Sequence, residues 1–255
     1  MKKITLVLLL VVMNVGYGES EKNHLEVVSG PGQHAQFFEK EITKKAELGF
    51  WLYLPEDYGV VEKEWPMVLF LHGGGERGDG VDDLHKVLYH GLPALVKQGK
   101  EYPFVIVSPQ CPSDLHWGDQ TDELAALCDY VADTYAVDNN RLYITGLSMG
   151  GAGTWSMIEG HPEKFAAAVP ICGRGNKRTA RKKLIDLPIW VFHGAKDHVV
   201  PISQSQEMVD ALKEGGSTKV KFTVYPEEGH GSWGPAYISP ELYEWLLSQH
   251  KGRGN

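Results

Sequence analysis

The stretch Tyr143-Ile144-Thr145-Gly146-Leu147-Ser148-Met149-Gly150-Gly151 sets a serine between glycines two residues away on either side. The apolar Leu142, Tyr143 and Ile144 before it read as a buried strand, and Trp155, Met157 and Ile158 after it read as a helix. A serine on a sharp strand-to-helix turn crowds those two positions, and glycine removes the Cβ atoms that would collide. The turn lifts the hydroxyl clear of the sheet. It also aims a helix N-terminus, with free N–H groups and a positive dipole, at whatever reacts there. Nucleophilic attack by Ser148 is the chemistry this suits; a turn that merely carries a surface serine is the plain alternative.

A serine hydroxyl is a weak nucleophile at neutral pH. It needs a base to take its proton and an acid behind that base. In a parallel sheet such groups gather in loops beyond the carboxyl ends of the strands. Asp197 follows the apolar run 189–192 and His230 follows the run 220–225, so both meet that condition. Singly, each has an ordinary reading, as a turn or capping aspartate and as a surface turn histidine. Together with the elbow, in the order Ser148, Asp197, His230, they read as nucleophile, acid and base. His72 and His193 stand at strand ends and suit structural roles bonded to nearby backbone, while His198 reads as a neighbour of the acid. Glu227 and Glu228 read as solvated, and Asp138 precedes the elbow strand at the wrong end of the sheet.

The oxyanion of an acyl-transfer intermediate needs two preorganised N–H donors. Met149, next after the serine, offers one. The loop His72-Gly73-Gly74-Gly75 offers the other through Gly74, with Gly75 the close alternative. No Walker lysine or GxGxxG spacing accompanies that loop, which removes a phosphate-cradle reading. The cysteines are scattered and no His, Asp or Glu group has ligand spacing, so neither a metal nor a cofactor is expected. Trp117 and Trp233, each in a loop beyond a strand end, are placed either to wall a substrate pocket or to pack beneath their loops.

The elements that must position these residues are legible as alternating patterns. Residues 37–42 and 48–55 predict an antiparallel edge hairpin, and the apolar run 67–71 predicts a buried strand opening into the glycine loop. Residues 83–98 have helical spacing interrupted at Gly91 and Pro93; further strands are expected at 104–107, 165–171, 189–192 and 220–225. Helices are expected at 121–136, 203–214 and 240–250. Strands alternating with helices predict an α/β fold, a mostly parallel sheet with helices on both faces. With no repeat or linker in view, residues 35–255 read as one domain behind a leader at 19–34.

Met1-Lys2-Lys3, the apolar stretch 4–13 and the small residues Gly16 and Gly18 form the three parts of a secretory signal peptide over 1–18. Its apolar core is too short for a comfortable span, so a secreted or periplasmic protein without a membrane span is expected, cleaved near Gly18. A chain of net charge −8 without basic clusters is a poor nucleic-acid partner. The basic run 177–183 reads as a solvated helix face. Cys111, Cys128 and Cys172 are too few for a disulfide scaffold; one pair could bridge in an oxidising compartment, and the pairing stays open.

The blocks Leu71-His72-Gly73-Gly74-Gly75-Glu76-Arg77-Gly78, Ser108-Pro109-Gln110-Cys111-Pro112 with Trp117, Gly146-Leu147-Ser148-Met149-Gly150-Gly151, Gly194-Ala195-Lys196-Asp197 and Gly229-His230-Gly231-Ser232-Trp233 resemble the α/β-hydrolase superfamily. Within it they are similar to the phospholipase/carboxylesterase and polyhydroxybutyrate-depolymerase-like branch, which also holds feruloyl and acetyl-xylan esterases and predicted peptidases. The likeness runs over about residues 35–250. It implies a single-domain serine carboxylic ester hydrolase with the triad Ser148, Asp197 and His230, acting through an acyl-enzyme. Small-molecule or polysaccharide-linked esters, short-chain or aryl, are the implied substrates. A prolyl-oligopeptidase-like serine peptidase and a non-catalytic binding protein on the same fold are the other readings. The chain departs from lipases in lacking an insertion long enough for a large lid, which points to an open site.

Overall fold

The computed structural model describes residues 30–252 apart from 42–44. The chain runs through β1 (Gly32–Glu41), β2 (Lys45–Leu54), β3 (Trp65–Leu71), α1 (Gly91–Lys97) and β4 (Val105–Pro109). It continues through α2 (Thr121–Thr134), β5 (Val137–Leu147), α3 (Met149–Gly160), β6 (Ala167–Ile171) and α4 (Lys177–Lys183). β7 (Ile189–Gly194), α5 (Ser203–Glu214), β8 (Val220–Tyr225), α6 (Trp233–Ile238) and α7 (Pro240–Leu247) complete it. The expected signal peptide lies outside the described residues, as does most of the expected leader. β1 takes in the end of that leader, beginning at Gly32, five residues before the expected strand.

The strands form one sheet in the order β1-β2-β4-β3-β5-β6-β7-β8. β1 pairs antiparallel with β2, and β2 antiparallel with β4; every pair from β4 to β8 is parallel. The alternation of side chains across a strand divides the core into two. Met67, Leu69 and Leu71 of β3 and Leu142 and Ile144 of β5 face one cluster with α2, α3 and α5. Val68, Phe70, Tyr143 and Leu147 face the other, with Leu92 of α1, Tyr237 of α6 and Leu242 and Leu246 of α7. Burial on both faces is why the central strands read as continuous apolar runs.

Several boundaries move. The helical spacing at 83–98 resolves into a 3-10 turn, Leu84–Tyr89, and the short α1, with the break at Gly91 (φ +68°), a backbone angle that favours glycine. β5 starts at Val137, so Asp138 belongs to the strand it was expected to precede, at the end remote from the serine, where it pairs with Arg141 at 2.6 Å. α6 had no clear periodic signal in the sequence; at six residues it is too short to show one. The basic run 177–183 is α4, its charged side chains exposed. All three cysteines are unpaired thiols in buried positions, so no disulfide forms among them.

Chain order and spatial order part company at β3. The chain goes from β3 to β4 on one side and then returns to β5 on the other, leaving a crevice beyond the carboxyl ends of β3 and β5. The glycine loop after β3 and the serine after β5 both open into that crevice.

Candidate active site

Ser148 stands between the last residue of β5 and the first of α3 with φ 54° and ψ −113°. A non-glycine residue there carries backbone strain, and the surroundings must hold it. Its N–H donates to Ile171 O at 3.0 Å, and its carbonyl accepts the Ala152 N–H at 3.0 Å, tying the elbow to β6 and to its own helix. The flanking glycines are compelled by contact. A Cβ on Gly146 would lie 2.3 Å from Gly150 O, and one on Gly150 would lie 1.9 Å from Leu71 O.

The loops after β7 and β8 bring Asp197 and His230 to the serine. His230 Nε2 lies 2.8 Å from Ser148 Oγ, and His230 Nδ1 lies 2.8 Å from Asp197 Oδ2. Since a carboxylate oxygen only accepts, Nδ1 carries the proton and Nε2 presents its lone pair to the serine O–H. Asp197 Oδ1 accepts the backbone N–H groups of Val199 and Val200, each at 2.9 Å. Burial pushes the Asp197 carboxyl up, but the bonds from His230, Val200 and Val199 outweigh it and hold the group below the usual range. The aspartate is therefore ionised at neutral pH. Glu227 pairs with exposed Lys196, away from this constellation.

Gly74 opens the 3-10 turn Gly74–Glu76 and lines a cleft of about 750 Å³ together with Ser148 and Met149. Gly75 is not among the residues lining it. His72 fastens this loop: its Nδ1–H donates to Gly73 O at 2.6 Å, and its Nε2 accepts the Cys111 N–H at 2.9 Å. Glu76, behind the loop, is buried 3.9 Å from His72 and 3.8 Å from His90. Burial is the main reason its carboxyl titrates high, with His90 and the Gly73 N–H pulling the other way.

The two tryptophans separate. Trp117 lines the cleft but is wholly buried; its indole N–H donates to His72 O at 2.9 Å and its ring meets His72 edge-on at 4.9 Å. It props the glycine loop from beneath instead of standing as an open wall. Trp233 is not among the cleft-lining residues and packs edge-on to His230 at 5.3 Å. The cleft instead extends along α3 past Ala152, Gly153 and Ser156 to Glu159. Sequence reasoning missed this direction, although small residues recurring on one helix face were its signal.

Among the described residues, one group of three donors lies close enough to suggest a metal: Cys172, Asp197 and His230, within 4.8 Å of one another. Its donors are already committed. Burial pushes the Cys172 thiol up to about 12, so it is neutral, and it donates to His230 O at 3.6 Å. Asp197 Oδ2 is taken by His230.

His72 makes stability depend on pH. Burial lowers its pKa from 6.5 to about 4, with the Arg77 charge adding to the drop and the bond to Gly73 O opposing it. The unfolded chain then takes up the proton first. Stability is full above about pH 6.5 and falls as pH drops toward 4, with about 2 kcal/mol gone by pH 5. Denaturant titrations at pH 7 and 5 should show this difference, and His72→Asn should flatten it; an equal slope in the variant would remove His72 as the cause.

The sheet order and the crevice, with Ser148, His230 and Asp197 gathered beyond the strand ends, give the chain an α/β-hydrolase fold. The dienelactone hydrolase family model matches residues 114–236. The fold is similar to the crystal structure of a thermostable esterase, at 36% identity and a TM-score of 0.71 over 86% of this chain and 63% of that one. An uncharacterised secreted protein of Arthroderma benhamiae is 27% identical over 207 residues, 65% of this chain and 21% of the relative. The bifunctional acetylxylan esterase/xylanase XynS20E of Neocallimastix patriciarum is 30% identical over 106 residues, 40% of this chain and 16% of the relative. The chain spans 16% to 40% of the length of the first four curated relatives it matches.

Proposed function

We propose that this chain is an exported serine carboxylesterase that hydrolyses short-chain or aryl carboxylic esters through an acyl-enzyme. The observation that carries the reading is the unbroken contact from Ser148 Oγ through His230 to Asp197, 2.8 Å at each step, on a strained elbow in a cleft. His230 takes the serine proton as Oγ attacks the ester carbonyl, and the ionised Asp197 stabilises the imidazolium that forms. The developing oxyanion is received by the N–H of Met149, the first residue of α3, and by the N–H of Gly74. His230 then protonates the departing alcohol. Water, deprotonated by the same imidazole, releases the acid from Ser148.

The cleft favours compact substrates. Along α3 its lining is Ala152, Gly153 and Ser156, and its further surroundings include Arg77, Glu159 and Asn176. Val199, Val200 and Pro201 line it as well, so its apolar wall is shared with charged and polar groups that suit a long alkyl chain poorly. Between β6 and β7, where a cap would have room, the only helix is the seven-residue α4. Acetyl or feruloyl groups on plant polysaccharide suit such an open site, and the acetylxylan esterase likeness of XynS20E supports that choice. The signal-peptide pattern at 1–18 supports export, as does the secreted description of the Arthroderma relative.

A panel of p-nitrophenyl esters from two to twelve acyl carbons, with a feruloyl ester and an amide analogue, tests this reading. Each methylene newly buried would add about 0.8 kcal/mol, roughly fourfold in kcat/KM. Acetyl and butanoyl esters should therefore be turned over best, with no such climb thereafter. A kcat/KM that keeps rising beyond about eight carbons at that rate would refute the open site. Amide cleavage ahead of ester cleavage would overturn the class, because an amide has the more stable ground state and the poorer leaving group.

A further inference from the structure

The sequence marks His193 only as a histidine at a strand end. In the fold it lies in β7, fully buried, with its Nε2 3.2 Å from Asp197 Oδ2 and 2.9 Å from Val200 O. Both neighbours are acceptors, so Nε2 must carry a proton. On the other side of the ring, Nδ1 lies 2.7 Å from Ser205 Oγ of α5, and that oxygen is 3.4 Å from Gly173 O. The ring is thus gripped by α5 and by the segments that follow β6 and β7. The carboxylate oxygen it reaches is the one that takes His230 Nδ1–H. One oxygen of Asp197 sits between two imidazoles, while the other accepts two backbone N–H groups.

We propose that His193 is a positioning residue of the hydrolytic site: its Nε2–H donates to Val200 O and holds the turn after β7 so that the Val199 and Val200 N–H groups stay on Asp197 Oδ1. The inference rests on the serine-hydrolase reading above. Those two N–H groups hold Oδ1, while the His230 Nδ1–H holds Oδ2. The bond from His193 to Val200 O keeps the two donors on Oδ1 in place, with the ring packed 3.2 Å from Oδ2. Without it, the donors on Oδ1 slacken, the carboxylate becomes more basic and it retains the His230 proton more strongly. The imidazolium is then favoured at rest, and the unprotonated base appears only at higher pH.

The other titratable groups facing this carboxylate are few. Cys172, at the end of β6, stays neutral. On the same loop, His198 is exposed and Lys196 is paired with Glu227 across to the loop after β8.

Steady-state kinetics of the full chain on p-nitrophenyl acetate across pH test the proposal with His193→Phe, His193→Gln and Ser205→Ala. Phenylalanine fills the space without a donor. It should lower kcat about 10- to 100-fold, the worth of a carboxylate hydrogen bond that the loosened turn no longer makes, with KM nearly unchanged. It should also move the acid limb of kcat/KM upward. Glutamine, whose amide N–H can stand near the Nε2 position, should recover most of the loss and return the limb. Ser205→Ala frees the ring without removing it and should shift the limb the same way by less, which decides the matter should the phenylalanine variant fail to fold.

Wild-type kcat and limb in the folded Phe variant, or in Ser205→Ala where the Phe variant does not fold, would overturn the proposal. Equal losses in the Phe and Gln variants with an unmoved limb would do the same, since volume and not the donor would then matter. Ser148→Ala, measured alongside, separates the two levels: full activity there removes the serine mechanism itself, whereas its loss beside a normal His193→Phe removes only the role of His193.

Discussion

Ser148→Ala should lower kcat on a short-chain ester by roughly 10⁴- to 10⁶-fold while leaving the melting temperature close to that of the parent chain. The backbone at this position is strained whichever of the two residues occupies it, because alanine and serine share the Cβ that makes φ 54° costly. The substitution removes only Oγ and its 2.8 Å contact with His230. The remaining activity would come from the oxyanion donors and from substrate positioning, which survive. Organophosphate labelling supplies an independent readout, since it reports the activated oxygen itself. Label should disappear in the variant. A labelled peptide carrying exposed Ser203 or buried Ser108 would show that another serine is the nucleophile.

A large loss of stability is expected at Gly150, which touches neither substrate nor proton. An alanine Cβ there would sit 1.9 Å from Leu71 O, 2.5 Å from Leu71 C and 2.7 Å from His72 O. These are backbone atoms of β3 and of the glycine loop, so no side chain can swing aside. Either α3 moves off the sheet or the end of β3 bends, and the elbow and the loop are disturbed together. Overpacking of this kind costs about 3 kcal/mol or more. For a chain of this size that is a fall of about 6–12 °C in Tm. Thermal unfolding of Gly150→Ala beside Ala152→Gly, a change on the same helix that removes a Cβ instead of adding one, tests the contact. A Gly150→Ala variant that melts with the parent would show that the elbow relaxes far more easily than its geometry implies.

Local pattern was enough for much of this protein, wherever a residue's environment is set by its immediate neighbours in the chain. β3, β7, β8 and α5 stand where periodicity and apolar runs put them. The glycines at 146 and 150 announce the elbow because their crowding arises within the turn and against the strand beside it. Asp197 and His230 could be selected because a parallel sheet sends every strand-end loop to one side, so position after a strand already implies the side of the sheet.

What the tertiary structure alone decided involves residues whose partners come from distant parts of the chain. Trp117 is a prop and not a wall because its indole finds His72 O, a partner 45 residues away. Cys172 comes within reach of the His230 carbonyl across 58 residues. The start of β1 depends on pairing with β2 in a register that runs from Gly32 opposite Leu54, which a weakly patterned strand does not declare. His193 and Asp197 are four residues apart, yet their contact exists only because α5 and the turn after β7 hold the ring toward the carboxylate. Sequence spacing constrains which groups share an end of the sheet. Which atoms then meet is set by the packing of helices against it, because hydrogen bonds act over about 3 Å while the loops that carry these side chains can reach much farther.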